Sequence, residues 1–353
     1  MTELAAIITA EISENGPIPI SQFMSTALFH PTLGYYTSRT VFGRSGDFVT
    51  APEISQMFGE LVGLSLAQSW IDQGRPSPFQ LVELGPGRGT LMADLLRATK
   101  GVAGFHQAAQ IILIEASPNL TQIQRNTLSG YDITWADSIH ALQELPTFLI
   151  ANEFFDALPI RQYQRIDDVW RERVVGLKDD ALTIGLGGVA QSPYLVQRMS
   201  DTVDGDIVET CPQAAPLVDQ IGTLIETKGG LGLIFDYGNW RSLGDTLQAL
   251  RAHDHVSPLD HIGHADITAH VDFEALVQTC PARHTPMTDQ GVWLERLGIT
   301  ARAQTLARAL SGAALENHIH AHRRLTHPDE MGKLFKVIAL YPSTAPYPVG
   351  FDT

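Results

Sequence analysis

The segment 79–89, FQLVELGPGRG, decides the fold class of this chain. Six mostly apolar residues run directly into a loop with glycines at positions 85, 87 and 89, and residues 90–99 then show a helical pattern. Glycines let a backbone turn sharply and approach a ligand closely. A buried strand, a glycine-rich loop and a helix in this order predict a doubly wound α/β domain, in which ligands bind at the carboxyl ends of the strands.

The alternation of strands and helices continues along the chain. The predicted strands are residues 79–84, 109–115, 132–137, 146–153, 230–238 and 332–342, and the predicted helices are 2–15, 19–29, 54–73, 90–99, 118–128, 212–227 and 271–278. Continuous apolar strands are expected of a parallel sheet that helices cover on both faces. Residues 161–187 instead indicate an antiparallel excursion, and residues 239–270 contain no clear element.

The composition limits the classes of partner. The 353 residues include 39 acidic and 24 basic side chains, for a net charge of −15. A general nucleic-acid-binding protein would carry a basic face, so we expect no nucleic-acid partner. The acidic excess favours solubility and would attract a cationic substrate. No segment approaches the roughly 18 apolar residues of a membrane span, and residues 1–16 lack the basic residues of a signal or transit peptide, so we expect a cytoplasmic protein.

Three predicted strands end in an acid, namely Glu83, Glu115 and Asp137. Glu115 could accept hydrogen bonds from ribose hydroxyls, and Asp137 could accept one from an adenine amino group. Glu83 beside the glycine loop suits a ligand with an ammonium and a sulfonium group. The dinucleotide pattern requires a small residue at Thr90, which disfavours NAD. The loop alone would also fit a tight turn without a ligand, but three successive acids favour a nucleoside.

The fourth predicted strand ends in NEFFDALP, residues 152–159. Asn152, Glu153 and Asp156 offer oxygen atoms that could hold the fork of a guanidinium group. The alternative is that Asp156 caps the next helix and that the two phenylalanines belong to the core. Residues 253–270 add five histidines and three aspartates, but without a helical HExxH pairing or a cysteine we predict no metal site. One of these histidines could accept a proton, or the segment could be a structural loop.

These motifs together resemble the MidA-like family of methyltransferases. The matching stretches are GYYT (34–37), GDFVTAPEISQMFGE (46–60), ELGPGRGTL (83–91), NEFFDALPIRQY (152–163), DYG (236–238), HADITAHVDF (264–273) and MGKLFKV (331–337). They are spread over most of the chain. One mild departure is Ala51, where the family usually has serine before Pro-Glu.

The resemblance implies an α/β fold of class I methyltransferase type, a Rossmann-like doubly wound sheet with an N-terminal helical extension and insertions after strands 4 and 5. It implies S-adenosyl-L-methionine (SAM) as cofactor and a protein arginine N-methyltransferase activity. Eukaryotic members are associated with symmetric dimethylation of an arginine on a core subunit of respiratory complex I, so a complex I subunit is the expected partner. A small-molecule acceptor, or a non-catalytic assembly factor that binds SAM only for stability, are the alternatives. The oligomeric state stays open.

The chain is expected to consist of four parts. They are an N-terminal helical extension with a cofactor-covering loop (1–75), the SAM-binding half of the Rossmann-like domain (76–160), a β-rich insertion with a return helix (161–229), and the second half of the sheet with a histidine-rich loop and a helical elaboration (230–353).

Three sets of residues are expected to form the site. The expected cofactor-binding residues are Glu83, Gly85, Pro86, Gly87, Gly89, Glu115, Ala116, Asp137, Ser138 and Asn152. The expected catalytic residues are Asn152, Glu153, Asp156, Asp236 and His253. Glu153 would clamp the guanidinium, Asn152 would orient the reacting nitrogen, and His253 or Asp236 would accept the proton. Asp47, Thr50, Glu53 and Gln56 are expected to cover the cofactor and shape the acceptor channel.

Overall fold

The computed structural model describes residues 2–38 and 50–352, in which strands of very different length alternate with helices. The first nine strands are β1 (Ile18–Pro19), β2 (Phe79–Leu84), β3 (Ala109–Ile114), β4 (Ile133–Ala136), β5 (Thr147–Asn152), β6 (Arg161–Ile166), β7 (Val169–Lys178), β8 (Ala181–Ala190) and β9 (Ile207–Thr210). The others are β10 (Gly230–Asn239), β11 (Gln248–Arg251), β12 (Asp254–Val256), β13 (Asp266–Thr268), β14 (Val271–Asp272), β15 (Arg283–His284), β16 (Thr288–Asp289) and β17 (Phe335–Tyr341).

The helices surround these strands. Those before the insertion are α1 (Glu3–Asn15), α2 (Ile20–Phe29), α3 (Tyr35–Ser38), α4 (Ala51–Ile54), α5 (Gln56–Asp72), α6 (Thr90–Thr99), α7 (Phe105–Ala108) and α8 (Pro118–Thr127). Those that follow are α9 (Pro193–Arg198), α10 (Ala214–Lys228), α11 (Phe273–Val277), α12 (Gln290–Arg296), α13 (Ile299–Ala307), α14 (Gly312–Thr326) and α15 (Met331–Leu334). None of the helices in the described ranges is long and apolar enough to cross a membrane.

The central sheet has the order β15-β17-β10-β5-β2-β3-β4. Strands β10, β5, β2, β3 and β4 run parallel, and β17 joins β10 in the antiparallel direction. Successive residues of β2 face opposite layers, since Leu81 packs with α5 and α6 whereas Val82 packs with α10 and α11. The sheet is therefore buried on both faces, which explains the continuous apolar runs of its strands. The predicted fold class is confirmed.

A second, antiparallel sheet follows β5, the fourth strand of the parallel series. Its order is β1-β7-β6-β9, with β8 paired to β7. Helices α1 and α2 pack on this sheet through Ile8 and Phe23, which are fully buried. The N-terminal helices and the insertion therefore share one core beside the central sheet.

A third sheet, β12-β11-β13, lies in the insertion after β10, where the sequence indicated no clear element. That expectation is wrong, since β11 forms antiparallel pairs with both β12 and β13. The three strands are only three or four residues long. Ala249 and Ile267 of this sheet are buried against the N-terminal helices. The strands are too short to show a clear alternation of apolar and polar residues.

Candidate active site

A cavity of about 400 Å³ lies at the carboxyl ends of β2, β3, β4 and β5. This volume is typical of a small-molecule site. The described residues that line it include seven acids and one basic residue, Arg88. We call one side the glycine-loop half, formed by Glu83, Gly85, Pro86, Gly87, Glu115, Ala116 and Asp137. The other side is the acidic half, formed by Tyr36, Asn152, Glu153, Asp156 and Asp266.

The loop after β2 has a backbone that requires glycine. Gly85 and Gly87 have φ angles of 59° and 51°, in the left-handed region that residues with a side chain avoid. A Cβ atom on Gly85 would also lie 2.9 Å from Cδ2 of Phe154. Gly89 is the N-cap residue directly before α6 and has a φ of 80°, but it does not line the cavity.

Glu83 lies at the floor of the glycine-loop half, and its side chain is 3% exposed. It accepts a hydrogen bond from the backbone N–H of Met92, while its Oε2 has no partner. Burial raises the pKa of this carboxyl to about 8. An unpartnered buried carboxylate oxygen in a ligand-sized cavity fits the ammonium group of SAM.

Glu115, at the end of β3, is held by two donors. Its Oε1 accepts from the backbone N–H of Ser117 at 2.7 Å, and its Oε2 accepts from Nε2 of Gln124 at 3.0 Å. Gln124 also donates to the carbonyl of Gly87 at 2.8 Å and accepts from Nε1 of Trp135 at 2.9 Å. The side chain of Gln124 therefore joins the glycine loop to Glu115. Sequence reasoning missed it, although a buried polar residue on an amphipathic helix was a usable signal.

Two more expected residues lie after β3 and β4. Ala116 and Asp137 line the cavity. Ser138 does not, because its hydroxyl accepts from the backbone N–H of His140 and caps the 3-10 turn Ile139–Ala141.

The segment before α5 contributes Thr50 and Glu53 to the cavity wall. Thr90 at the start of α6 donates to Oε1 of Glu53 at 2.5 Å. The backbone N–H of Ala51 donates to Oε1 of Glu153 at 3.0 Å, which ties this segment to the acidic half. Gln56 is exposed and donates to Glu60 instead of facing the cavity. Asp47 lies outside the described residues.

The acidic half begins at the end of β5. Glu153 has a φ of 51°, and its Oε1 accepts from Nδ2 of Asn152 at 3.1 Å. Its Oε2 and Oδ1 of Asn152 are buried without a partner. Burial raises the pKa of Glu153 to about 7, and the negative charge of Asp266 adds to this effect. Positive φ angles at residues other than glycine are uncommon, and they occur preferentially at functional sites.

Asp156 completes this turn and is 4% exposed, with its Oδ1 unpartnered. Burial raises its pKa well above the usual range, and the charges of Asp236, Asp266 and Glu153 act in the same direction. Several carboxylates this close together favour a cationic ligand, because each ionised form destabilises the others.

Asp236 and His253 are not brought to the cavity. Asp236 is fully buried, and its Oδ2 accepts from the backbone N–H of Phe155 at 2.9 Å and of Asp156 at 3.3 Å. It therefore positions the 153–156 turn, and burial raises its pKa to about 8. His253 is exposed in the turn between β11 and β12, with a φ of 69°. Neither position supports the expected role of proton acceptor, since neither residue lines the cavity.

Sequence reasoning left out two residues of the acidic half. Tyr36 donates from its Oη to Oδ1 of Asp266 at 2.8 Å, and both line the cavity. Both lie in motifs that carried the family resemblance, which was the available signal. Within the described ranges, no group of three or more His, Cys, Asp or Glu side chains could hold a metal ion.

Comparison with known proteins adds independent findings. A model of the S-adenosyl-L-methionine-dependent methyltransferase family matches residues 61–288. The chain is 36% identical to the mitochondrial protein arginine methyltransferase NDUFAF7 of Xenopus laevis, over 94% of this chain and 83% of the relative. It is 32% identical to the Homo sapiens protein of the same name, over 97% of this chain and 84% of the relative.

A solved structure is similar over nearly the whole chain. A superfamily member from Burkholderia thailandensis, bound to S-adenosyl-homocysteine (SAH), superposes with a TM-score of 0.81 and 28% sequence identity. The match covers 99% of this chain and 92% of that chain. The predicted cofactor, SAM, is confirmed. The prediction of a cytoplasmic location is contradicted by the curated relatives, which are named as mitochondrial proteins.

Proposed function

Because the chain belongs to the MidA-like family and is a SAM-dependent methyltransferase, we propose that its acceptor is an arginine side chain of a protein. The observation that carries this proposal is the pair of unpartnered, buried carboxylate oxygens in the acidic half, on Glu153 and Asp156. A guanidinium group presents several N–H donors in a planar fork, and carboxylates are its matching acceptors. The naming of the curated relatives as protein arginine methyltransferases supports the same acceptor.

The glycine-loop half holds the cofactor in this proposal. Glu83 pairs with the ammonium of SAM, and Glu115, oriented by Gln124, accepts from the ribose hydroxyls. Asp137 and Ala116 contact the adenine. SAM supplies a methyl group on a sulfonium, which is a good leaving group. Because the two halves meet at Asn152, that residue lies where the acceptor nitrogen has to approach.

The acidic half orients the arginine and receives its proton. The guanidinium of free arginine stays protonated at neutral pH, so the acceptor enters as a cation and loses one proton when a nitrogen is methylated. Glu153 is the group best suited to take that proton, because its pKa of about 7 lies near neutral pH. Asn152 donates to Glu153 and fixes the carboxyl group. Proximity and orientation supply most of the acceleration.

Methyl transfer from labelled SAM tests this proposal. The full chain is incubated with SAM that carries a tritiated methyl group and with a lysate of its host, and the labelled product is identified by mass spectrometry. Methylarginine in a protein supports the proposal. Label on another residue or on a small molecule contradicts it, and no label with intact SAM binding indicates a non-catalytic SAM-binding factor.

The identity of the acceptor protein is a finer proposal. A subunit of respiratory complex I is the acceptor suggested by the resemblance to the MidA-like family. The same experiment tests it, because the labelled protein is identified by its peptides. Methylarginine in a protein unrelated to complex I would support the arginine acceptor but contradict a complex I subunit as the acceptor protein.

A further inference from the structure

Tyr36 and Asp266 form a partly buried contact that the proposed chemistry does not use. They lie 230 residues apart, in the N-terminal segment and in β13, and they meet at the cavity wall. Oη of Tyr36 donates to Oδ1 of Asp266 at 2.8 Å. Asp266 is 6% exposed, so its carboxyl group is largely withdrawn from solvent.

The packing fixes both side chains. The ring of Tyr36 stacks on Phe29 with centroids 5.7 Å apart and meets the edge of Tyr35 at 5.1 Å. At the other end of the contact, Asp266 pairs with Leu250 of β11. Gly263 has a φ of 77°, and a Cβ atom there would lie 2.4 Å from the carbonyl oxygen of Leu33. The loop before Asp266 is therefore closely packed against the N-terminal segment, and the contact is preorganised.

Asp266 lines the same cavity as Glu153 and Asp156. Its charge raises the pKa of both Glu153 and Asp156. The backbone N–H of Ala269, just after β13, donates to the carbonyl of Asp156 at 3.0 Å and holds the two segments together. Oε2 of Glu153 and Oδ1 of Asp156 are buried without partners, and both residues line the cavity together with Asp266. A cation bound there would be stabilised by their ionised carboxyl groups.

We propose that Asp266 is a third carboxylate that contacts the acceptor guanidinium, and that Tyr36 is the positioning residue that orients it. This rests on the proposed arginine acceptor. The N-terminal extension then contributes directly to acceptor recognition, through a hydroxyl that selects the orientation of a carboxylate. The glycine-loop half plays no part in this contact, so cofactor affinity is independent of it.

The test is a binding titration of the full chain saturated with SAH. The probes are Nα-acetyl-L-arginine amide and its neutral counterpart, Nα-acetyl-L-citrulline amide. We expect the wild type to bind the arginine probe at least about tenfold more tightly, since charge-assisted hydrogen bonds are lost with citrulline. Asp266→Asn should weaken arginine binding by about tenfold and Tyr36→Phe by about threefold, with SAH affinity unchanged in both. Asp260→Asn, in the exposed part of the same loop, is the matched control and should bind like wild type.

A double-mutant cycle separates positioning from general damage. If Tyr36 acts through Asp266, Tyr36→Phe has no further effect once Asp266→Asn is present. Additive losses, wild-type arginine binding by Asp266→Asn, or an equal loss of SAH affinity would each overturn the inference. A wild type that does not distinguish arginine from citrulline would instead refute the arginine acceptor itself, and this inference with it.

Discussion

The two halves of the cavity are built in different ways. The glycine-loop half takes its residues from three successive strand ends, between Glu83 and Asp137, and its loop shape is set by left-handed glycines. The acidic half collects side chains from three distant segments, at Tyr36, Glu153–Asp156 and Asp266. In the glycine-loop half the carboxylate of Glu115 has two donors and Glu83 keeps one unpartnered oxygen, whereas both Glu153 and Asp156 of the acidic half keep one.

This difference indicates a division of labour. The glycine-loop half is a rigid receptor whose geometry follows from local βα turns. The acidic half is an electrostatic site: burial, and then the charges of neighbouring acids, raise the pKa of Glu153 and Asp156, and a bound cation would favour the ionised form of both carboxyl groups. Changes in the first half should therefore alter cofactor affinity, and changes in the second should alter acceptor binding and turnover.

The largest effect is expected from Gly87→Val. A φ of 51° is a genuine outlier for a β-branched residue, and the added side chain would project beside the cavity. We expect SAM affinity, measured by calorimetry, to fall by roughly 100-fold or more, which corresponds to about 2.7 kcal/mol. Gly101→Val is the control, because Gly101 is exposed with nothing within 4 Å of its Cβ position. Equal SAM affinity in wild type and Gly87→Val would remove the loop from the cofactor site.

Glu153→Gln should have the next largest effect, on acceptor binding and turnover and not on cofactor affinity. The amide keeps the shape but can neither balance the guanidinium charge nor accept its proton, so methyl transfer at saturating SAM should fall by roughly 10²-fold. SAM affinity should remain within about twofold of wild type, because Glu153 belongs to the acidic half and the glycine-loop half holds the cofactor. The exposed change Asp168→Asn serves as control.

The pH profile sharpens the same prediction. Because the pKa of Glu153 is about 7 and the ionised form is the active one, turnover should decrease as the pH falls below about 7. Wild-type turnover by Glu153→Gln, or a pH profile that is flat from 6 to 8, would show that this carboxyl group takes no part in the transfer.

Glu115→Ala should lower SAM affinity by at least about tenfold, since each hydrogen bond to a charged group contributes roughly 1.5–3 kcal/mol. Gln124→Leu should lower it by about threefold, because Glu115 and the carbonyl of Gly87 both lose a donor. Turnover at saturating SAM should stay close to wild type in both variants. Gln122→Leu, at an exposed position of α8, is the matched control for Gln124→Leu. Unchanged affinity in Glu115→Ala would mean that the ribose is held elsewhere.

The smallest effect is expected on the pH dependence of the stability of the ligand-free chain. The folded pKa values of Glu83 and Glu153, about 8 and about 7, exceed the value of about 4.3 for an unfolded glutamate. Between pH 4.5 and 8 these two carboxyl groups therefore bind more protons in the folded chain than in the unfolded chain, so their contribution to the free energy of unfolding decreases as the pH rises. The Tm should be a few degrees lower at pH 8 than at pH 6, and Glu83→Gln should reduce this difference. A Tm that rises over this interval would contradict the burial of these acids.

The sequence predicted the glycine-loop half far better than the acidic half. Glu83 lies near the end of β2, and Glu115 and Asp137 directly follow β3 and β4, so local patterns were enough to place them on one edge of the parallel sheet. The role of Gln124 was not predicted, because its three partners, Gly87, Glu115 and Trp135, come together only through the packing of α8.

The acidic half depends on contacts that local patterns do not encode. Asp266 reaches the cavity through β13, a strand of three residues that forms only against β11. The sequence offered no way to tell that His253 lies in an exposed hairpin turn and Asp266 at the cavity wall, since both belong to one histidine-rich stretch. Asp236 was expected to accept a proton, but it binds backbone N–H groups of the neighbouring turn.

The most direct test of the two-halves account is a crystal structure of the full chain with SAH. The account predicts ribose hydroxyls within hydrogen-bonding distance of Glu115, the amino group at Glu83, and the sulfur directed towards Asn152 and Glu153. The volume between Glu153, Asp156 and Asp266 should remain free for the acceptor. A ribose or adenine placed among those three acids would contradict the division of the cavity.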